Sequence, residues 1–105
     1  MRILKFIVTG QVIRTDPSCD FSGIVPGSKG YLKATFTFDS EWAGCEKIAE
    51  FRKYDVEKCT SVRLTGNSCM IPEEELVNKY FYMNLIGIRP GFRIRTGKLE
   101  VRQDG

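Results

Sequence analysis

Four cysteines are the residues of this chain best able to do chemistry. They are Cys19, Cys45, Cys59 and Cys69, separated by 26, 14 and 10 residues, and no Cys-x-x-Cys pair occurs among them. Four thiolates can hold one structural zinc ion in a closed tetrahedral site, which leaves no bound water to activate. Buried free thiols acting as small apolar side chains are a second interpretation, and disulfides are a third. A zinc site at these four positions is therefore one prediction, and a protein without a cofactor is its alternative.

The sequence contains no histidine, which removes several kinds of active site. Ser-His and Cys-His nucleophilic pairs, histidine-ligated metals and a histidine pH switch are all excluded. No phosphate-binding glycine loop with its lysine and no nucleophile elbow occurs either. The adjacent Glu73, Glu74 and Glu75 follow Pro72, so they fit the first turn of a short helix, where the helix dipole favours negative charge. We therefore expect a binding protein and not an enzyme.

The candidate binding residues are aromatic and arginine side chains. Arg93 and Arg95 share one face if their segment is a strand, and guanidinium groups bind carboxylates and phosphates through paired hydrogen bonds. Tyr80 and Tyr82 share a face for the same reason and are the pair we expect to point outward. Trp42, the only tryptophan, either plugs one end of the fold or anchors a partner, since Trp, Tyr and Arg dominate binding energies.

The charge of the chain is modest and unevenly distributed. Sixteen Lys and Arg face thirteen Asp and Glu, for a formal net charge of +3. Five of the basic residues lie between Arg89 and the C-terminus, so Arg89, Lys98 and Arg102 could extend a patch around the two central arginines. Such a patch could meet an acidic protein surface or a nucleic-acid backbone, or it could be an ordinary solvated strand face. The total charge is too small for us to expect direct nucleic-acid binding, and its sign argues against an acidic DNA mimic.

The elements that must position these residues are mainly strands. Residues 3–13 predict one long strand or a hairpin bent at Gly10, and residues 15–30, rich in Pro, Gly, Ser and Asp, predict a long loop. Period-two alternation over 31–39 predicts a half-buried antiparallel strand, followed by a turn over 40–45. Further strands are predicted over 48–52, 61–64, 69–71, 80–88 and 92–95.

Two local features complete the fold prediction. A turn at 65–67 is expected to pair segment 69–71 back onto segment 61–64. A bulge or tight turn at Thr96–Gly97 is expected to shift the alternation of apolar and polar residues, so that Leu99 and Val101 take the apolar positions. Six or seven short strands in 105 residues favour a single domain over residues 1–105. We predict a mainly β fold, a compact antiparallel β-sandwich or partial barrel with one or two short helical turns.

No targeting or membrane segment is expected. The longest apolar runs are only a few residues, so we predict no membrane span and no membrane partner. The N-terminus has Lys5 within its apolar stretch and lacks a small-residue cleavage site, so we predict no signal peptide.

Two stretches of the chain resemble a small β-rich module that is common in phages and prophages of Firmicutes. In residues 31–51, YLKATFTFDSEWAGCEKIAEF, a strand ends in Phe-Thr-Phe-Asp, and Glu-Trp-x-Gly and Lys-x-Ala-x-Phe follow. In residues 67–76, Cys-x-Ile-Pro precedes an acidic segment. Together they cover about half of the chain. The module often has Cys at position 69 but an aliphatic residue at position 45, which argues against a zinc site inherited from the family.

The resemblance carries two functional expectations. The module usually forms part of larger tail or baseplate proteins, so one expectation is a virion structural module that self-associates. A short stand-alone version is similar to type II anti-CRISPR proteins, which implies an inhibitor that binds the type II CRISPR-Cas effector nuclease in the cytoplasm of the infected bacterium and blocks target DNA loading. Its expected contacts are Trp42, Tyr80, Tyr82, Arg93 and Arg95. Direct nucleic-acid binding through segment 89–102 is the third alternative.

Overall fold

A computed structural model describes residues 1–52, 59–72 and 80–102 of the chain. The short helix predicted from Pro72 falls on residues outside these ranges, apart from the proline itself. Nine strands are described: β1 (Arg2–Thr9), β2 (Val12–Thr15), β3 (Leu32–Phe38), β4 (Glu46–Arg52), β5 (Thr60–Arg63), β6 (Ser68–Met70), β7 (Tyr80–Arg89), β8 (Phe92–Arg95) and β9 (Leu99–Arg102). A 3-10 turn, Ser40–Trp42, lies between β3 and β4.

The strands form two sheets that pack face to face. Sheet A has the order β2-β1-β3-β6, and sheet B has the order β5-β4-β7-β8, with β9 also paired to β7. One hydrophobic core lies between them, and its largest fully buried side chains include Trp42, Phe6, Phe51 and Phe81. The prediction of a mainly β sandwich is confirmed, and the described strands close no barrel.

The bulge predicted near Thr96 is present and lets β8 and β9 share one edge of β7. Ile86 pairs with Arg95 while Met83 pairs with Leu99, so two residues of β7 oppose three residues of the other strand. The Thr96 hydroxyl accepts a hydrogen bond from the Leu85 amide at 2.9 Å and so replaces a ladder partner. The predicted apolar phase shift follows directly from this extra residue.

Two strand pairings differ from the sequence predictions. Strand β3 was expected to be antiparallel to its neighbours, but it runs parallel to β1 and antiparallel to β6. The long loop after β2 makes this possible, because a parallel neighbour needs a crossover connection. Strand β6 was expected to pair with the segment before it, but it crosses to β3 in sheet A, and a single bridge, Thr65 to Ser68, is what remains of that hairpin.

The buried Trp42 ties the two sheets together at one end. Its indole Nε1 donates a hydrogen bond of 2.9 Å to the carbonyl of Gly10, which adopts positive φ in the β1–β2 turn. Asp39 supports the same junction, because its Oδ2 accepts from the Gly10 amide at 2.8 Å and its Oδ1 accepts from the Glu41 amide at 3.1 Å. The indole ring lies against Gly87 of β7, so sheet B contributes its own surface to the junction.

In the part of the chain that the structure describes, no helix has the length and apolar character needed to cross a membrane.

Substituting Gly87 with Ala should destabilise the fold because no room exists for a side chain. A Cβ there would lie 2.7 Å from two ring carbons of Trp42 and 3.0 Å from Ile94 Cγ2. We expect a loss of about 1–3 kcal/mol in the free energy of unfolding, measured as a lower midpoint in urea.

The control for this variant is Gly97→Ala in the bulge. Within the described ranges nothing lies within 4 Å of a Cβ at this position. We expect no loss, or a gain of up to about 1 kcal/mol from reduced freedom of the unfolded chain. Equal midpoints for the two variants would contradict the packing of Trp42 on Gly87.

Candidate functional site

Four of the five predicted contact residues lie together on the outer face of sheet B. Along β7 the odd-numbered residues Phe81, Met83 and Leu85 are buried in the core, so Tyr80 and Tyr82 project from the other side. Arg93 and Arg95 project from β8 to the same side, since each is paired in register with an outward residue of β7. We call this surface the sheet B outer face.

A carboxylate that the sequence analysis did not single out organises this face. Glu50 of β4 lies in register with Asn84 of β7, and its Oε1 accepts a hydrogen bond from Asn84 Nδ2 at 2.9 Å. The same oxygen pairs with Arg95 at 3.2 Å and with Arg52 at 3.3 Å, and Oε2 accepts from the Cys59 thiol at 3.5 Å. One carboxylate therefore holds two guanidinium groups from different strands in fixed positions.

The environment of Glu50 favours its charged form. Burial alone would raise the pKa of this carboxyl, whose side chain is only 14% exposed. The hydrogen bonds from Asn84 and Cys59 and the charges of Arg95 and Arg52 outweigh burial, so the pKa lies below its ordinary value. At neutral pH the cluster is thus an intact ion-pair network.

Two buried polar atoms of this network have no hydrogen-bond partner among the residues that the structure describes. Asn84 is 2% exposed, and its amide orientation is set because Nδ2 must be the atom that donates to the Glu50 carboxylate. Asn84 Oδ1 and Arg52 Nε are then left without a hydrogen-bond partner in the described part of the chain. An acceptor and a donor therefore remain unused beside the charged cluster.

The two tyrosines pack edge to face at the other end of the face. The ring centroids of Tyr80 and Tyr82 lie 5.9 Å apart with an interplanar angle of 80°, and both side chains are half-buried. Such paired rings present a rigid surface that is apolar at its centre and polar at the hydroxyl.

Arg93 is an exposed arginine of this face whose side chain is available to a partner. It lies opposite Ile88, which is itself 41% exposed, and its side chain makes no ion pair or hydrogen bond with any residue in the ranges 1–52, 59–72 and 80–102. Two of the arginines that were predicted to extend the basic patch around Arg93 and Arg95 are occupied within the protein. Arg102 pairs with Glu100 at 3.3 Å, and Arg89 donates to the carbonyls of Glu41 and Ala43, each at 3.0 Å.

The prediction that Trp42 contacts a partner is wrong. Its side chain is completely buried against Gly87 and Phe38, so no surface of the indole is open to another molecule. The alternative weighed for this residue, a plug at one end of the sandwich, is what the structure shows. A tryptophan in a turn between strands carries no sequence signal that separates these two roles.

The four cysteines are free thiols at separate places in the fold. Cys19 accepts from the Lys5 amide at the edge of β1, Cys45 contacts Arg89, and Cys59 contacts Glu50. Cys69 is buried in sheet A, where burial raises the pKa of its thiol to about 11. Among the described residues no three cysteine or acidic side chains come together as metal ligands, so the geometry gives the predicted zinc site no support.

Sequence reasoning missed Glu50, Asn84 and Arg52, although each leaves a weak signal. Asn84 is the single amide within an apolar strand, which is a pattern typical of a buried polar group with a specific partner. Glu50 alternates with the core residues Ala49 and Phe51, which predicts its outward direction but not its partners.

Comparisons with known proteins add no family to this description, since no family model, curated protein or solved structure matches the chain.

Replacing Glu50 with Gln should make the free energy of unfolding depend less on pH in the acid range. Because the folded-state pKa lies below the ordinary 4.5, the carboxylate stabilises the fold above about pH 4.5, and this contribution is lost as the pH falls through the folded pKa. We expect the variant to lose about 1–3 kcal/mol in the free energy of unfolding at pH 7, and this free energy should change less than in the wild type as the pH falls below 4.5, measured by urea unfolding.

Glu46→Gln on the same strand is the matched control. Glu46 pairs with Arg63 at 2.6 Å, but the two side chains are 46% and 73% exposed, so removing this pair should cost less than about 1 kcal/mol. If the free energy of unfolding of Glu50→Gln depends on pH as it does in the wild type, the cluster around Glu50 does not stabilise the fold.

Proposed function

We propose that this protein is a phage-encoded anti-CRISPR protein that inhibits a type II CRISPR-Cas effector nuclease by direct protein binding. The observation that supports a binding role is the placement of Tyr80, Tyr82, Arg93 and Arg95 on one face of a rigid sheet. The resemblance of residues 31–51 and 67–76 to phage modules supports the choice of target. The protein performs no chemistry in this role.

The sheet B outer face has the composition of a binding surface. Arginine and tyrosine are enriched among the residues that dominate interface energies. Arg95 is held by Glu50 and keeps 46% of its side chain exposed, so it loses little conformational freedom on binding. Arg93 is exposed and unpaired within the described ranges, so a carboxylate of the target can take both ends of its guanidinium.

The charge of the protein favours a steric mode of inhibition. A DNA mimic would need an acidic surface, whereas this chain carries a formal net charge of +3. An acidic or mixed lobe of the nuclease is therefore the better electrostatic match for the exposed arginines. Binding there blocks the loading of target DNA by occupying space.

The proposal is tested by a pull-down of the tagged protein with purified type II effector nuclease, with and without guide RNA, followed by a DNA-cleavage assay. We expect a stable complex that has lost cleavage activity. Adding the inhibitor before the DNA should inhibit more strongly than adding it afterwards, since its site of action precedes DNA loading. Failure to form a complex with any tested orthologue would contradict the proposal. Ring assemblies in sedimentation would then support the virion module.

The contact surface is tested with the double variant Tyr82→Ala/Arg93→Glu. We expect about a tenfold or greater loss of affinity for the nuclease, because both a ring contact and a charge contact are removed. Lys29→Glu is the control, because it makes the same charge change as Arg93→Glu at an exposed loop residue. It should bind the nuclease as the wild type does. Unchanged binding and inhibition in a variant with Ala at all four positions would overturn this surface assignment, provided its circular dichroism is that of the folded protein.

A further inference from the structure

The opposite side of the sandwich carries a second exposed surface, which we call the sheet A outer face. Along β1 the side chains of Leu4, Phe6 and Val8 are buried in the core, so the alternate residues project outward. The register of β1 with its neighbours continues this alternation across the whole sheet. The two outer faces therefore point away from each other, with the core between them.

The sheet A outer face carries a net positive charge. Lys5, Arg14 and Lys33 project from β1, β2 and β3, and no outward side chain of the four strands of this sheet is acidic. From the register and the strand spacing, these bases spread over roughly 13 by 10 Å. Asp16 lies at the edge of the face, where its carboxylate accepts from the Ser18 amide at 2.9 Å and from the Ser18 hydroxyl at 2.8 Å and also interacts with the charges of Lys5 and Arg14. The face therefore carries three bases against one acid at its edge, and its net charge stays positive.

Exposed apolar side chains alternate with these bases. Lys33 is in register with Ile3 on one side and with Met70 on the other, and these two are 47% and 37% exposed. Val12, on the same strand as Arg14, is 61% exposed. Ile3 and Met70 therefore place exposed apolar surface on both sides of Lys33, and Val12 places more beside Arg14 on the neighbouring strand.

We propose that the sheet A outer face docks an acidic amphipathic helix of another protein. Such a helix presents an apolar stripe flanked by carboxylates, which matches the alternation of apolar and basic side chains on the face. Its diameter of about 10 Å fits across the sheet. The face offers side chains and no free backbone groups, so it suits a helix better than an added strand. This proposal does not depend on the proposed nuclease target.

The same observations disfavour other occupants. A second copy of this chain docked face to face would place three bases against three bases. Anionic membranes recruit segments with about four to eight clustered basic residues, and this face has three. Single-stranded nucleic acid is bound by aromatic stacking, and no outward residue of β1, β2, β3 or β6 is aromatic.

The test selects ligands from a displayed library of helical 20-residue peptides that differ at their surface positions, with the full-length protein as bait. We expect the enriched peptides to be acidic and amphipathic. Lys5→Glu/Arg14→Glu should weaken their binding at least tenfold. Arg63→Glu/Arg102→Glu, an equal charge change at two exposed residues of sheet B, should leave their binding within twofold. Circular dichroism of each variant shows whether the fold is kept.

Three results would overturn the proposal. The first is a selection that yields neutral or basic peptides, or none. The second is equal peptide binding by the two double variants. The third is tighter binding of phosphatidylserine vesicles, or of a single-stranded oligonucleotide, than of any selected peptide. If Lys5→Glu/Arg14→Glu fails to fold, Lys33→Gln, which removes a single charge, replaces it and should still weaken binding measurably. Inhibition of the nuclease by the same samples is scored separately, so each proposal can fail without the other.

Discussion

The burial of one indole ring at the junction of the two sheets is the constraint on which the rest of the structure depends. Sheets in a sandwich share no ladder hydrogen bonds, so their relative position is set by core packing and by the few bonds at their ends. Trp42 provides one of these bonds through the Gly10 carbonyl, and the Gly97 amide provides another to the carbonyl of Gln11, at 3.1 Å. Because Gly87 has no side chain, the ring can lie directly on sheet B. This contact sets the turn between β3 and β4 directly against β7 of sheet B.

This junction also explains the structural roles of residues in one of the two motif-bearing stretches, 31–51. Phe38, Asp39 and Trp42 belong to the most recognisable stretch, and they respectively pack on the indole, hold the Gly10 amide and fill the core. Their roles are structural, whereas Tyr82 and Arg93 of the proposed contact surface lie outside both motifs.

The sequence predicted directions of side chains better than it predicted partners. Period-two alternation placed Arg93 and Arg95 on one face and located the bulge at Thr96, because these features depend on neighbouring residues alone. The parallel pairing of β1 with β3 and the crossing of β6 depend on which distant strands meet, and alternation carries no such information. Glu50 was missed for the same reason, since its role arises only when β4 brings it opposite Asn84.

The two outer faces show why the net charge of +3 says little about binding. On sheet B most of the basic side chains are matched: Glu50 holds Arg52 and Arg95, and exposed pairs hold others, so a partner meets short-range and directional contacts. On sheet A the three outward bases Lys5, Arg14 and Lys33 face one acid, Asp16 at the edge. A partner there meets a net positive field that reaches about one Debye length, roughly 8 Å at physiological salt. Association through sheet A should therefore depend on ionic strength, while association through sheet B depends on fit. A sandwich with a single core can in this way offer two chemically distinct surfaces, because each strand assigns alternate residues to the core and to the face behind it.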